Sequence, residues 1–313
     1  SQDPQLEGRI HTQTEVLSVG RKGVLKGELI ASNKRRERPF RMLLRDHTGQ
    51  ERYAHADIVL DSSGTYGNPN ALGDGGTPAL GEATAAKGNR IIYTIPNVLG
   101  DERPIFAGRH TLVVGAGYSA ITTLRALLKL QEEVPETRIT WLTRAQDQPY
   151  TELPDDPLPQ RDVLAKLGNR IARGEHQGIH YVGLSHVEAL TQHDDGTLAV
   201  TLEGPDAQQH TLEAIDQVVA NVGYRPDNGL YRELQVHQCY ASEGPMKLAA
   251  ALLSASGGGG DCLQQTSMGP ETLRSPEPDF YIIGSKSYGR GSSFLLKLGL
   301  EQIQDIQTLI EGR

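Results

Sequence analysis

The run Thr111-Leu-Val-Val-Gly-Ala-Gly-Tyr-Ser-Ala-Ile-Thr-Thr-Leu124 limits what this chain can fold into more than any other stretch. Its first four residues read as a short buried strand, and Ala120, Leu124, Leu127, Leu128 and Leu130 recur with the spacing of one helical face. Between them, Gly115-Ala-Gly-Tyr-Ser-Ala120 fits GxGxxA. Gly115 permits the tight turn, Gly117 lets backbone approach a pyrophosphate, and Ala120 lets the helix pack close on the strand. The anion would face amides at the helix N-terminus, where the dipole favours negative charge. Ala116, Tyr118 and Ser119 complete the loop. Ile-Thr-Trp-Leu at 139–142 supplies the next strand, so 109–142 reads as a βαβ unit. With strand and helix both in place, dinucleotide binding is preferred to a merely tight strand–helix turn.

The end of the second strand selects the nicotinamide. An acid there accepts from the NAD ribose, whereas a cation accommodates the NADP phosphate. The strand ends Trp141-Leu-Thr-Arg144, with no acid until Asp147. Arg144 can form two parallel hydrogen bonds to a phosphate, so NADP(H) is expected. The alternative is a solvated surface arginine.

Composition removes several other classes. A net charge of -8 and the absence of a basic block argue against a nucleic-acid partner. No apolar run approaches the roughly 20 residues of a membrane helix, and the N-terminus Ser-Gln-Asp-Pro-Gln-Leu-Glu-Gly-Arg is too polar for a signal peptide. A cytoplasmic protein without membrane contact is expected. Cys239 and Cys262, the only cysteines, are too far apart for a CxxC pair and too few for a disulfide framework or a four-cysteine zinc site. His176 and His180 have i, i+4 spacing, but Gly178 and the strand-like residues after it spoil a helix. With His186 they read as surface histidines, and no metal is expected. Asp155-Asp156, between prolines, reads as a solvated turn.

Around the βαβ unit, residues 14–19, 40–44 and 57–60 read as strands of a small meander, and the glycine-rich 61–90 as a long crossing loop. A charged helix at 159–173, a hairpin of 187–190 and 198–202, and a buried strand at 217–222 follow. An apolar helix at 246–253 leads to the tetraglycine 257–260, a linker by composition. Residues 280–283 then pass through Gly284-Ser-Lys-Ser-Tyr-Gly-Arg290 into a helix over 293–310.

Two segments echo each other: in 56–66 and 215–226 an Asp opens a buried strand and a Gly stands seven positions later. The succession Asp57…Ser-Gly64-Thr65, the loop 115–120, Trp-Leu-Thr-Arg144, Asp216…Gly223-Tyr224-Arg-Pro226 and Phe280-Tyr-Ile-Ile-Gly284 resembles the two-dinucleotide-binding-domain flavoproteins. That superfamily comprises the thioredoxin-reductase-like pyridine nucleotide oxidoreductases and the flavin-containing monooxygenases. The resemblance implies an α/β fold in which a Rossmann-like NADP-binding domain (101–226) is inserted into a partial FAD-binding domain with a β-meander (1–100 and 227–313). It implies FAD and NADP as cofactors, with Gly64, Thr65, Gly223, Tyr224, Gly284 and Ser285 at crossing-strand ends and flavin loops. NADPH then reduces bound FAD, and electrons pass to oxygen or a small-molecule acceptor.

Three departures shape the expectation. Nothing before Gly115 supplies the family's first GxGxxG, so an upstream segment is expected to be missing. Ser285 and Lys286 stand where many relatives place an acid after Gly284, and Lys286, Ser287 and Arg290 could face a phosphate or an acidic substrate, or be ordinary loop residues. The lack of CxxC argues against a dithiol reductase and tilts the expectation toward a monooxygenase, although FxGxxxH is absent too. The rival is an NADP(H)-binding sensor or partner-binding module without redox turnover. No catalytic residue is named, and a homodimer is left open.

Overall fold

The computed structural model describes residues 4–154, 156, 158–256 and 267–312. The tetraglycine linker, Cys262 and Asp155 lie outside the described residues. Along the first half run strands β1 (Thr14–Arg21), β2 (Phe40–Asp46), β3 (Glu51–Ala56) and β4 (Val59–Asp61), helix α1 (Glu82–Lys87), β5 (Ile91–Ile92), α2 (Arg103–Phe106), β6 (His110–Val114), α3 (Tyr118–Glu133) and β7 (Arg138–Leu142). Then come α4 (Pro159–Ala172), β8 (His180–Val182), β9 (His186–Gln192), β10 (Leu198–Glu203), β11 (Gln209–Ile215), β12 (Gln217–Ala220), α5 (Met246–Ser256), β13 (Phe280–Ile282) and α6 (Leu296–Glu311).

Backbone contacts divide the chain into Ser1–Asn68 with Tyr224–Arg313, and Pro69–Gly223. The middle unit is built on a parallel sheet of order β5-β12-β6-β7-β8. Successive side chains of a strand face opposite ways, and both faces here are apolar. Val113, Trp141 and Val219 face α3 and α4, where Ile121, Leu124, Leu127 and Ile171 complete one core. Leu112, Val114, Leu142, Val218 and Ala220 face the antiparallel sheet β11-β10-β9, packing against Val187, Leu190, Val200 and Ile215. A parallel sheet needs cover on both sides; here helices supply one layer and a second sheet the other.

Residues 69–100, expected with the first segment, belong to this unit: β5 pairs with β12, and Leu80 bridges Ala189. The crossing loop also holds α1, for which glycine content gave no warning. Glu82 in its first turn is buried and accepts from the amides of Leu72 and Ala79 and from the Tyr93 hydroxyl.

The outer unit holds the meander β1-β2-β3 and a two-stranded parallel sheet β13-β4. The meander's third strand is Glu51–Ala56, not the 57–60 run. Its sequence, Glu-Arg-Tyr-Ala-His-Ala, lies largely exposed, so no apolar alternation marks it. The 57–60 run contributes instead to β4, paired with β13 more than two hundred residues on.

Charge ties the meander to the loop before β13. The buried Glu277 carboxylate accepts from the guanidinium of Arg21 (2.8 Å) and from that of Arg35 (3.0 Å), and also from the Gln235 amide (2.9 Å). Arg21 lies 3.6 Å over the Phe40 ring, and burial pulls its pKa down while Glu277 pushes it up. Removing one member of a buried ion network leaves uncompensated charge at a cost of about 3–5 kcal/mol. Glu277→Ala is therefore expected to lower the unfolding free energy by about that much in urea titrations, and a loss under about 1 kcal/mol would show that the network is not a determinant of stability.

Candidate nucleotide site at the strand ends

β6, β7 and β12 end together, and the loop 115–118 crosses their carboxyl ends. Gly115 has φ +125°, and a Cβ built on it would lie 2.3 Å from the Asn221 carbonyl oxygen. Only glycine fits, for steric and conformational reasons together. Asn221, just past β12, accepts through Oδ1 from the Thr123 hydroxyl of α3 (2.9 Å), fixing helix to strand end. Ala120 is fully buried, so helix and strand are in close contact. Between β6 and β12 the chain order of the sheet reverses, and open α/β sheets place ligands in the crevice at such a switch point.

The loop's carbonyls are tied down from below. Trp141 Nε1 donates to the Gly115 carbonyl (2.8 Å) and the Tyr150 hydroxyl to the Gly117 carbonyl (3.0 Å). Burial pushes the Tyr150 pKa up, so the hydroxyl stays protonated and remains a donor. Asn169 on α4 clamps the Tyr150 backbone, accepting from its N–H (3.1 Å) and donating to its carbonyl (2.9 Å). Gly168 makes room for the ring: a Cβ there would lie 2.3 Å from it.

With its carbonyls turned inward, the loop presents its opposite side to solvent. Gly117 starts α3 with no side chain capping it, and the space where its Cβ would stand is open. An uncapped helix start on open ground is a site for a phosphate. Tyr118 is half-exposed beside the Tyr150 ring, 5.5 Å between centroids, and Ser119 is half-buried in the first turn. Arg144 is exposed at the end of β7 and forms no ion pair among the described residues. Gly223, φ +83°, accepts through its carbonyl from the Asn70 amide (3.0 Å).

The remaining expected residues belong to the outer unit. Gly64 and Gly284, both at φ +71°, follow the adjacent parallel strands β4 and β13, and the Ser285 hydroxyl is 3.5 Å from where a Gly64 Cβ would stand. Thr65 is half-buried after Gly64. Tyr224 packs edge-on against Tyr66 with centroids 5.0 Å apart. Lys286 faces no solvent: it is buried, 2.7 Å from Asp61 Oδ2 and 3.0 Å from the Ser63 hydroxyl. Ser287 donates to the Gly284 carbonyl and accepts from Gln302, and Arg290 pairs with Glu243 at 2.9 Å. These three are thus committed within the unit. Asp156, expected in a solvated turn, is buried against Arg161 at 2.7 Å.

Both strand-end loops lie on parallel sheets of an α/β fold, and solved structures show it to be the two-domain fold found in FAD/NADP oxidoreductases. Among solved structures, the chain is similar to bacillithiol disulfide reductase of Bacillus cereus (TM-score 0.65, 17% identity, 99% of this chain and 74% of that one). It is also similar to the ornithine N-hydroxylase of Kutzneria sp. 744, solved with reduced FAD, NADP+ and L-ornithine (TM-score 0.58, 13% identity, 95% and 71%). A third likeness is to thioredoxin reductase of T. acidophilum (TM-score 0.54, 15% identity, 94% and 74%). No protein-family model matches the sequence, and no curated protein matches it. Among the described residues no helix is long and apolar enough to cross a membrane.

Sequence reading missed Trp141, Tyr150, Gly168 and Asn169 as supports of the loop; a lone tryptophan one residue before the strand end is the one available signal. Gly168→Ala drives a methyl into the Tyr150 ring and is expected to cost about 1–3 kcal/mol by overpacking, with a shift in the emission of Trp141, the only tryptophan. Unchanged stability and emission would show that the ring does not brace the loop.

Proposed function

We propose that this chain belongs to an FAD-dependent oxidoreductase that uses NADPH and passes electrons to oxygen or a small-molecule acceptor, a monooxygenase being the preferred subclass. The observation that carries the reading is the Gly115–Asn221 approach, which leaves an uncapped helix start over open ground at a switch point of the sheet. Gly115, Ala116, Gly117, Tyr118, Ser119 and Ala120 are the residues proposed to hold the pyrophosphate of NADP(H). Arg144, exposed and charged, is proposed to meet the 2'-phosphate, and Gly223 to border the crevice.

The outer unit fits a second dinucleotide. At Gly284 a Cβ would meet nothing within 4 Å, and Gly64 turns beside it, both at carboxyl ends of parallel strands. Gly64, Thr65, Tyr224, Gly284 and Ser285 are the residues proposed to contact FAD. When bound, the nicotinamide supplies hydride and the flavin accepts it; the chain's own residues bind, orient and exclude. Lys286 is not among the proposed FAD contacts, because it is buried and paired with Asp61. A cytoplasmic homodimer acting on a small-molecule substrate accords with this reading.

Trp141 touches the loop carbonyl, so energy transfer from it to NADPH reports binding directly. NADPH is expected to bind the wild type at least about tenfold more tightly than NADH, and Arg144→Ala to abolish the difference, a change of about 1.4 kcal/mol or more. An unchanged ratio in Arg144→Ala would remove the phosphate role from this residue.

A further inference from the structure

The sheet β9–β10–β11 carries a second group of chemically able side chains. His186 and Glu203 are direct cross-strand partners. Their closest approach, His186 Nε2 to Glu203 Oε1, is 3.8 Å, too long for a hydrogen bond. The β9–β10 register slips between Thr201 and Leu202, so that Glu188 is the extra residue of a bulge and has no facing residue. A bulge bends its strand and re-aims a side chain. Here one ligand atom from each of His186, Glu188 and Glu203 lies within 4.8 Å of the other two, and all three side chains are half-buried. On β11, Gln209 Nε2 donates to Glu203 Oε2 at 3.3 Å, while Oε1 is the oxygen nearest His186.

One imidazole nitrogen and two carboxylate oxygens are a donor set that zinc and its first-row neighbours accept. We propose that His186, Glu188 and Glu203 bind a divalent cation of the zinc class, with solvent completing its coordination. The charges agree, since two carboxylates present negative charge for a dication to cancel. The mounting agrees as well, since all three ligands stand on adjacent strands of one sheet rather than on a loop. Gln209 is the outer partner that orients a ligating carboxylate. Bound metal would fasten β9 to β10 across the bulge, where the backbone ladder is interrupted.

Calorimetric titration with zinc chloride tests the site. The wild type is expected to take up one equivalent more than His186→Ala, and Gln209→Ala to hold that equivalent about tenfold more weakly. The double variant His176→Ala/His180→Ala is expected to keep it. Zinc is expected to raise the melting temperature of the wild type and not of His186→Ala. Equal uptake and affinity in wild type and His186→Ala would overturn the proposal. Should His186→Ala fail to fold, Glu188→Gln carries the same comparison, with loss of the equivalent expected and its full retention contradicting the site.

Discussion

The approach of Gly115 to the Asn221 carbonyl is the constraint on which the middle unit turns. Two parallel strands end side by side, and the chain leaving β6 must pass where any side chain would strike the end of β12. That crossing sets the direction of α3, which Asn221 then holds through Thr123. It also brings the Gly115 carbonyl to the Trp141 Nε1–H, so that the polar groups of the loop are sorted: acceptors inward, helix start outward. The proposed anion site thus rests on steric exclusion before any charged residue is considered.

The outer unit solves a similar problem with charge. β4 and β13 are three residues each and come from distant parts of the chain. Their ends are joined by the buried Lys286, held by Asp61 and Ser63 and 5.0 Å from the Tyr231 ring. Asp61 also accepts from the Ser63 amide and hydroxyl, so its carboxylate is well supplied with donors. A buried pair of this kind adds little net stability over an apolar one, but it specifies which strand ends meet.

The dinucleotide loop, its flanking strand and helix, and the second parallel strand were legible in the sequence because local period and glycine spacing are short-range signals. What the sequence left unread depends on long-range partners. Glu51–Ala56 shows no apolar alternation and becomes a strand only through β2; the run 57–60 reads as a meander strand, yet its second half pairs with β13. Lys286 reads as a candidate phosphate ligand from its loop, and only the position of Asp61, 225 residues away in sequence, shows the charge to be spent. His176 and His180 have helical spacing in the sequence, whereas the carboxylates near His186 come from a bulge and a neighbouring strand.

In the proposed function this chain passes electrons from NADPH to a flavin. Anaerobic mixing of the FAD-loaded protein with NADPH tests it most directly. Loss of the yellow flavin absorbance on NADPH addition, slower with NADH, is the predicted result. Persistent flavin colour at saturating NADPH, with binding at Trp141 still evident by energy transfer, would contradict it.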